Sequence, residues 1–296
     1  MNKHLTALAA AVLALTLSAC GPSADRTGSA DPANAAEGAG LGHIHGLGAS
    51  GSTVYVATHQ GVYTPAANGR PTLVGTRKDD FMGFTVTPEG TFLASGHPAP
   101  GGDGPADLGL IESTDRGATW TTRSLAGEVD FHALDTAPDA TVYGYDATNG
   151  RLRVSRDGVA WEDRAALRAL DIAVSPATGG KAAGTVLATT EQGVVRSTDD
   201  GRTFGAPLSP QVVAYVSWAA PDALFGADPS GTLLRSADGG ASWTRVSRLP
   251  GGAPQALTAV DGRRVLAATT DGVYESSDGG RTFVRRMAVA SAADGH

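Results

Sequence analysis

The chain has 296 residues, 41% hydrophobic and 18% charged, which is enough apolar content for a buried core and too little charge for a disordered polymer. A formal net charge of −7 gives no basic surface for a phosphate backbone and argues against nucleic acid as a partner. Forty glycines and 16 prolines against 6% aromatics predict many short strands joined by tight turns rather than long helices.

Residues 1–19 read as a signal peptide: Lys3 precedes an uncharged run from Leu5 to Leu17, about thirteen residues, too short to span a bilayer as a helix. Leu17-Ser18-Ala19-Cys20 resembles the bacterial lipobox, in which cleavage precedes an acylated cysteine. Cys20 is the only cysteine, so a thiol reserved for lipid leaves none for a disulfide. Loss of Lys3 leaves 22 basic against 30 acidic residues, a mature charge of −8. Residues 20–40, rich in Gly, Ala, Ser, Pro and Asp, read as a flexible tether. The expected location is the outer face of the cell membrane, with the bilayer a partner only through the lipid and the protein a monomer.

From about residue 41 to 290 the sequence repeats. Five segments share one spelling: Ser113-x-Asp115-x-Gly117-x-x-Trp120, Ser155-x-Asp157-Gly158-x-x-Trp161, Ser197-x-Asp199-x-Gly201-x-x-Phe204, Ser236-x-Asp238-x-Gly240-x-x-Trp243 and Ser276-x-Asp278-x-Gly280-x-x-Phe283. Their serines are 42, 42, 39 and 40 residues apart. Gly61 to Thr64 is a sixth copy that keeps the strand and loses the box. Before each box come alternating strands such as Leu170 to Val174, Thr185 to Thr189 and Gly193 to Ser197. Four short antiparallel strands per repeat predict an all-β, six-bladed propeller, with residues 291–296 as a tail. The aspartates Asp115, Asp157, Asp199, Asp238 and Asp278 read as structural, accepting amides of their own turns. The copy at Asp157 is one residue short, so its turn is expected to be irregular.

The histidines are not spread over the repeats. Apart from His4 and His296, all five lie in the first three: His43, His45, His59, His97 and His132. Aligned first strands read His45, Met82, His132 and Asp171 at one position; the ends of second strands read His59, His97, Asp146 and Asp228. Antiparallel neighbours start and end on the same face, so both sets are expected at one mouth of the channel, with the boxes on the opposite face. The loop from His97 to Asp107 leaves from that mouth. Imidazoles with a thioether and carboxylates suit Cu or Zn, which makes His43, His45, His59, His97, His132 and Met82 candidate metal ligands, at least three of the histidines converging. Asp130, Asp146, Asp171 and Asp228 are candidate contacts for a small ligand.

The boxes resemble the Asp-box, or BNR, repeat of sialidases and sortilin-type receptors. The segments His43-Ile44-His45-Gly46-Leu47, Ala57-Thr58-His59-Gln60-Gly61, Ala94-Ser95-Gly96-His97-Pro98, Gly109 to Ser113 and Asp130-Phe131-His132-Ala133-Leu134 resemble a bacterial lipoprotein family of such propellers, labelled glycosyl hydrolase by similarity. The resemblance implies the fold and raises glycoside hydrolysis, for which Asp130 and Asp146 are one conceivable carboxylate pair. Sialidase chemistry is not expected. The arginine triad is missing from the first strands, which carry His, Met and Asp instead, and the Arg-Ile-Pro signature is absent. Metal or small-ligand binding is the first expectation, and a scaffold for protein partners or a glycosidase the alternatives.

Overall fold

A computed structural model describes residues 41–102, 104–176 and 184–289. Within them every regular element is a strand, and the 23 strands form six antiparallel sheets. Blade 1 holds β1 (Ile44–Ser50), β2 (Thr53–Thr58), β3 (Gly61–Pro65) and β4 (Pro71–Leu73). Blade 2 holds β5 (Asp80–Val86), β6 (Phe92–His97), β7 (Leu110–Ser113) and β8 (Thr121–Ser124). Blade 3 follows with β9 (Phe131–Thr136), β10 (Val142–Asp146), β11 (Arg151–Ser155) and β12 (Glu162–Ala166). In blade 4 only β13 (Ile172–Val174), β14 (Val186–Thr190) and β15 (Gly193–Ser197) are regular. Blade 5 is β16 (Tyr215–Ala220), β17 (Ala223–Ala227), β18 (Thr232–Ser236) and β19 (Thr244–Arg248). Blade 6 is β20 (Pro254–Ala259), β21 (Val265–Thr269), β22 (Gly272–Ser276) and β23 (Val284–Ala288). The first strand of each blade neighbours the first strands of the blades beside it, so these six strands surround the axis of a six-bladed propeller.

Blade 4 departs from the predicted four strands for a local reason. Gly205 N bonds Arg196 O at 3.0 Å and Leu208 N bonds Val194 O at 2.8 Å, but Pro207 between them has no amide to continue the ladder. The expected first strand from Leu170 also shortens, starting at Ile172.

The core is divided into six apolar packets, one between each pair of successive blades. Each includes buried residues of first strands, among them Leu47, Phe84, Leu134, Ile172, Val216 and Leu257. The box aromatics pack against five of the six. The Trp161 ring lies 4.9 Å from Phe131 in its own blade, while its Nε1 donates to Ser124 Oγ of blade 2 at 2.9 Å. Among the described residues, no strand crosses between the first and last blades. The ring closes by packing Leu41, Ile44 and Val54 against Leu266, Val273 and Met287, and by Thr258 Oγ1 donating to Leu47 O at 2.9 Å.

The box turns form as their spelling requires. In the third full copy Ser197 Oγ accepts Gly201 N at 2.9 Å and donates to Asp199 Oδ1 at 2.7 Å, and Asp199 in turn accepts Thr203 N at 2.9 Å and Thr203 Oγ1 at 2.7 Å. The same bonds recur at Asp115, Asp238 and Asp278. In the short copy Asp157 Oδ1 instead takes Val159 N and Ala160 N, both at 2.8 Å.

Candidate metal centre

The mouth is built by a backbone irregularity that repeats. Between Ile44 and Gly46 the β1–β2 register slips by one residue, between Phe81 and Gly83 the β5–β6 register does the same, and the β9–β10 register slips opposite Tyr145 and Asp146. The residues left over are His45, Met82 and His132. A bulge re-aims the side chain it frees, and here it frees the position that differs chemically from blade to blade. Two glycines make room for the site. A Cβ on Gly96, whose φ is +144°, would stand 1.8 Å from the Asp80 carbonyl oxygen. A Cβ on Gly42 would stand 3.0 Å from His59 Cδ2.

Two clusters result. In the first, His45 Nε2 lies 3.4 Å from the ring nitrogens of His59 and 3.9 Å from Asp80 Oδ1, and His59 Nδ1 lies 2.9 Å from Asp80 Oδ1. Asp80 Oδ1 is buried and makes no aligned hydrogen bond in spite of that approach. Donor atoms held by a tetrahedral ion at about 2.0–2.2 Å stand roughly 3.3–3.6 Å from one another, and the three separations straddle that value. The His43 ring is the next neighbour, 4.7 Å from His45 and 6.2 Å from His59 between centroids, with Nδ1 buried and unbonded. Burial, followed by the charges of His43, His59 and His132, lowers His45 to about 3. Burial, then His59, lowers His43, with Asp80 opposing. Both rings are therefore neutral at neutral pH, the form that offers a lone pair to a metal.

In the second cluster the carboxylate of Asp130, 4% exposed, is shared. Its Oδ2 is 2.5 Å from His132 Nε2 and 3.3 Å from His97 Nε2. His97 Nδ1 lies 3.0 Å from Ala106 O and 3.3 Å from Asp107 Oδ1. A carbonyl only accepts, so Nδ1 carries a proton; Nε2 faces a carboxylate, so it carries one as well. His97 is thus an imidazolium. Burial works against the charge, and the Ala106 bond with Asp130, Asp107 and Asp80 overcomes it and raises the pKa.

All five predicted histidines thus gather at one mouth, but not on one point: two imidazoles and Asp80 converge, and His97 with His132 forms a separate hydrogen-bonded group. Met82 occupies the matching bulge of blade 2. The remaining candidates are committed elsewhere. Asp171 lies just outside β13, where its carboxylate accepts Ile172 N and, across to blade 5, Val216 N, each at 2.9 Å. Asp146 is fully buried and takes Arg153 Nε at 2.7 Å and Asn149 N at 2.9 Å, so it shares no substrate access with Asp130. Asp228 accepts Ser230 N and Thr232 N in its own turn. Asp80 and Asp107 are site residues the sequence reading missed. Asp80 had a signal: one residue ahead of the aligned first strands the chain reads His43, Asp80 and Asp130. Asp107, inside a loop, had none.

No protein-family model matches the chain, and no curated protein matches it. Solved structures do. Virginiamycin B lyase from Staphylococcus aureus superposes with a TM-score of 0.55 at 13% identity, over 82% of this chain and 83% of that one. This likeness is one of fold. The WD40 propeller domain of Doa1 gives a TM-score of 0.56 at 10% identity, over 83% and 82%. The GH74 xyloglucanase from Xanthomonas campestris gives 0.52 at 18%, over 83% of this chain and 45% of that chain.

Proposed function

We propose that this chain is an extracytoplasmic propeller that binds one divalent transition-metal ion at its histidine mouth, through His45, His59 and Asp80. The observation that carries the reading is Asp80 Oδ1, buried and without a hydrogen bond, with imidazole nitrogens of His59 and His45 at 2.9 and 3.9 Å. Two nitrogens and a carboxylate oxygen suit Zn(II) or Cu(II) better than Cu(I), which prefers sulfur. Three protein donors leave a fourth position for a small ligand or for His43.

The box turns and the His43-Ile44-His45 segment support kinship with the Asp-box lipoprotein propellers. The lipobox and the lone cysteine support an anchor at Cys20, which together with the signal peptide, the tether and residues 291–296 lies outside the described residues; Cys20→Ala should release the protein from membranes.

Calorimetry of the untagged protein tests the metal site. One Zn(II) or Cu(II) per chain is expected, lost in His59→Ala. Absence of binding by both ions overturns the reading.

A further inference from the structure

The second cluster has another chemistry. His132 Nε2 and Asp130 Oδ2, at 2.5 Å, are closer than two ligands of one ion and sit at the spacing of a charge-assisted hydrogen bond. His132 therefore donates its Nε2 proton to Asp130, which leaves the lone pair on Nδ1. Asp130 is itself fixed by the His97 imidazolium, and His97 by Ala106 O and Asp107. This is the arrangement of an imidazole held in one tautomer by a buried carboxylate, the requirement for a general base. His132 is 39% exposed and lines the same channel cavity of about 490 Å³ as His45.

We propose that His132 is a general base for hydrolysis of a neutral carboxylic ester whose carbonyl oxygen is held by the cation at His45, His59 and Asp80; Asp130 and His97 are positioning residues. The inference rests on the metal reading above. Charge selects the substrate class. The carboxylates of Asp80, Asp107 and Asp130 are balanced by a divalent cation and the His97 imidazolium, so the mouth holds no surplus positive charge for a phosphoester dianion. In the reaction the oxygen of water adds to the acyl carbon as its proton passes to His132 Nδ1. The tetrahedral oxyanion then collapses, the acyl C–O bond breaks, and the leaving oxygen takes the proton from His132, giving a carboxylic acid and an alcohol.

The Zn(II)-loaded full chain should hydrolyse p-nitrophenyl acetate faster than equimolar free Zn(II) and faster than the metal-free protein, and should spare p-nitrophenyl phosphate. His132→Gln should lower kcat at least about a hundredfold, the scale of general-base catalysis, with KM and zinc stoichiometry unchanged. Asp130→Asn should lower kcat at least tenfold. A chain that binds one zinc yet is no faster than the free ion, or a His132→Gln variant with wild-type kcat, overturns the general-base assignment and leaves the metal site standing. Preferred cleavage of the phosphate overturns the charge argument. Failure to bind zinc overturns the metal reading itself.

Discussion

The two faces of the propeller are both rich in short polar side chains, and they use them in opposite ways. On the box face each carboxylate meets donors from its own turn. Hydrogen bonds led by Thr119, Ser197 and Ser242 pull Asp115, Asp199 and Asp238 down to about 2, and those led by Thr282 pull Asp278 well below the carboxylate range. At the histidine mouth the groups come from different blades and are left short of partners: His43 Nδ1, Asp80 Oδ1 and Asp130 Oδ1 are all buried without a hydrogen bond. A buried acceptor without a donor costs free energy, so a fold keeps such groups together only where something else meets them. The box carboxylates hold their turns, and the gathering of three unmet groups at one mouth marks the site.

Several substitutions would break that division if it were false. The largest effect is expected at Gly96, where Ala brings a Cβ to 1.8 Å from the Asp80 carbonyl in a left-handed backbone. Gly96→Ala should cost at least about 3 kcal/mol in denaturant unfolding and abolish metal binding with it. Asp80→Asn should instead weaken metal affinity by more than about a hundredfold while leaving the unfolding midpoint of the metal-free protein nearly unchanged. On the other face the order reverses. Ser197 Oγ is the buried acceptor for Gly201 N, so Ser197→Ala should destabilise by about 1–3 kcal/mol without altering metal stoichiometry.

The blade-to-blade clamps give a pH signature. Burial, only partly offset by the Val216 and Ile172 amides, raises Asp171 to about 7. Burial likewise raises Asp135 to about 6 against the bonds from Val174 and Thr136. The folded form keeps protons there that the unfolded chain releases near pH 4, so these groups make stability decline as pH rises from about 4 to 7. Asp171→Asn should flatten that decline in urea midpoints taken across the range. The smallest effect is expected at Arg116, at φ +63° before Gly117, where two other copies carry Gly239 and Gly279 at positive φ. Arg116→Gly should stabilise by up to about 1 kcal/mol, read as a small rise in Tm.

The blades were legible because each repeat writes its own turn: serine, aspartate and glycine at fixed spacing specify bonds that close within a few residues. The gathering of the histidines was legible from strand polarity alone, since His45 and His59 had to share an end of adjacent strands. Their partition into two clusters was not. It depends on bulges that turn His45 and His132 out of register and on carboxylates reaching across blades, as Asp80 does to His59. Asp171 shows the converse. Its place in the alignment resembled a ligand position, yet the short β13 leaves its carboxylate to join blades 4 and 5 through Val216 N.

The most direct test of the metal site is the anomalous difference density of a crystal grown with Zn(II). A single peak within about 2.0–2.2 Å of ring nitrogens of His45 and His59 and of Asp80 Oδ1 is the predicted result. A peak among the box carboxylates instead, or none at the histidine mouth, would contradict it.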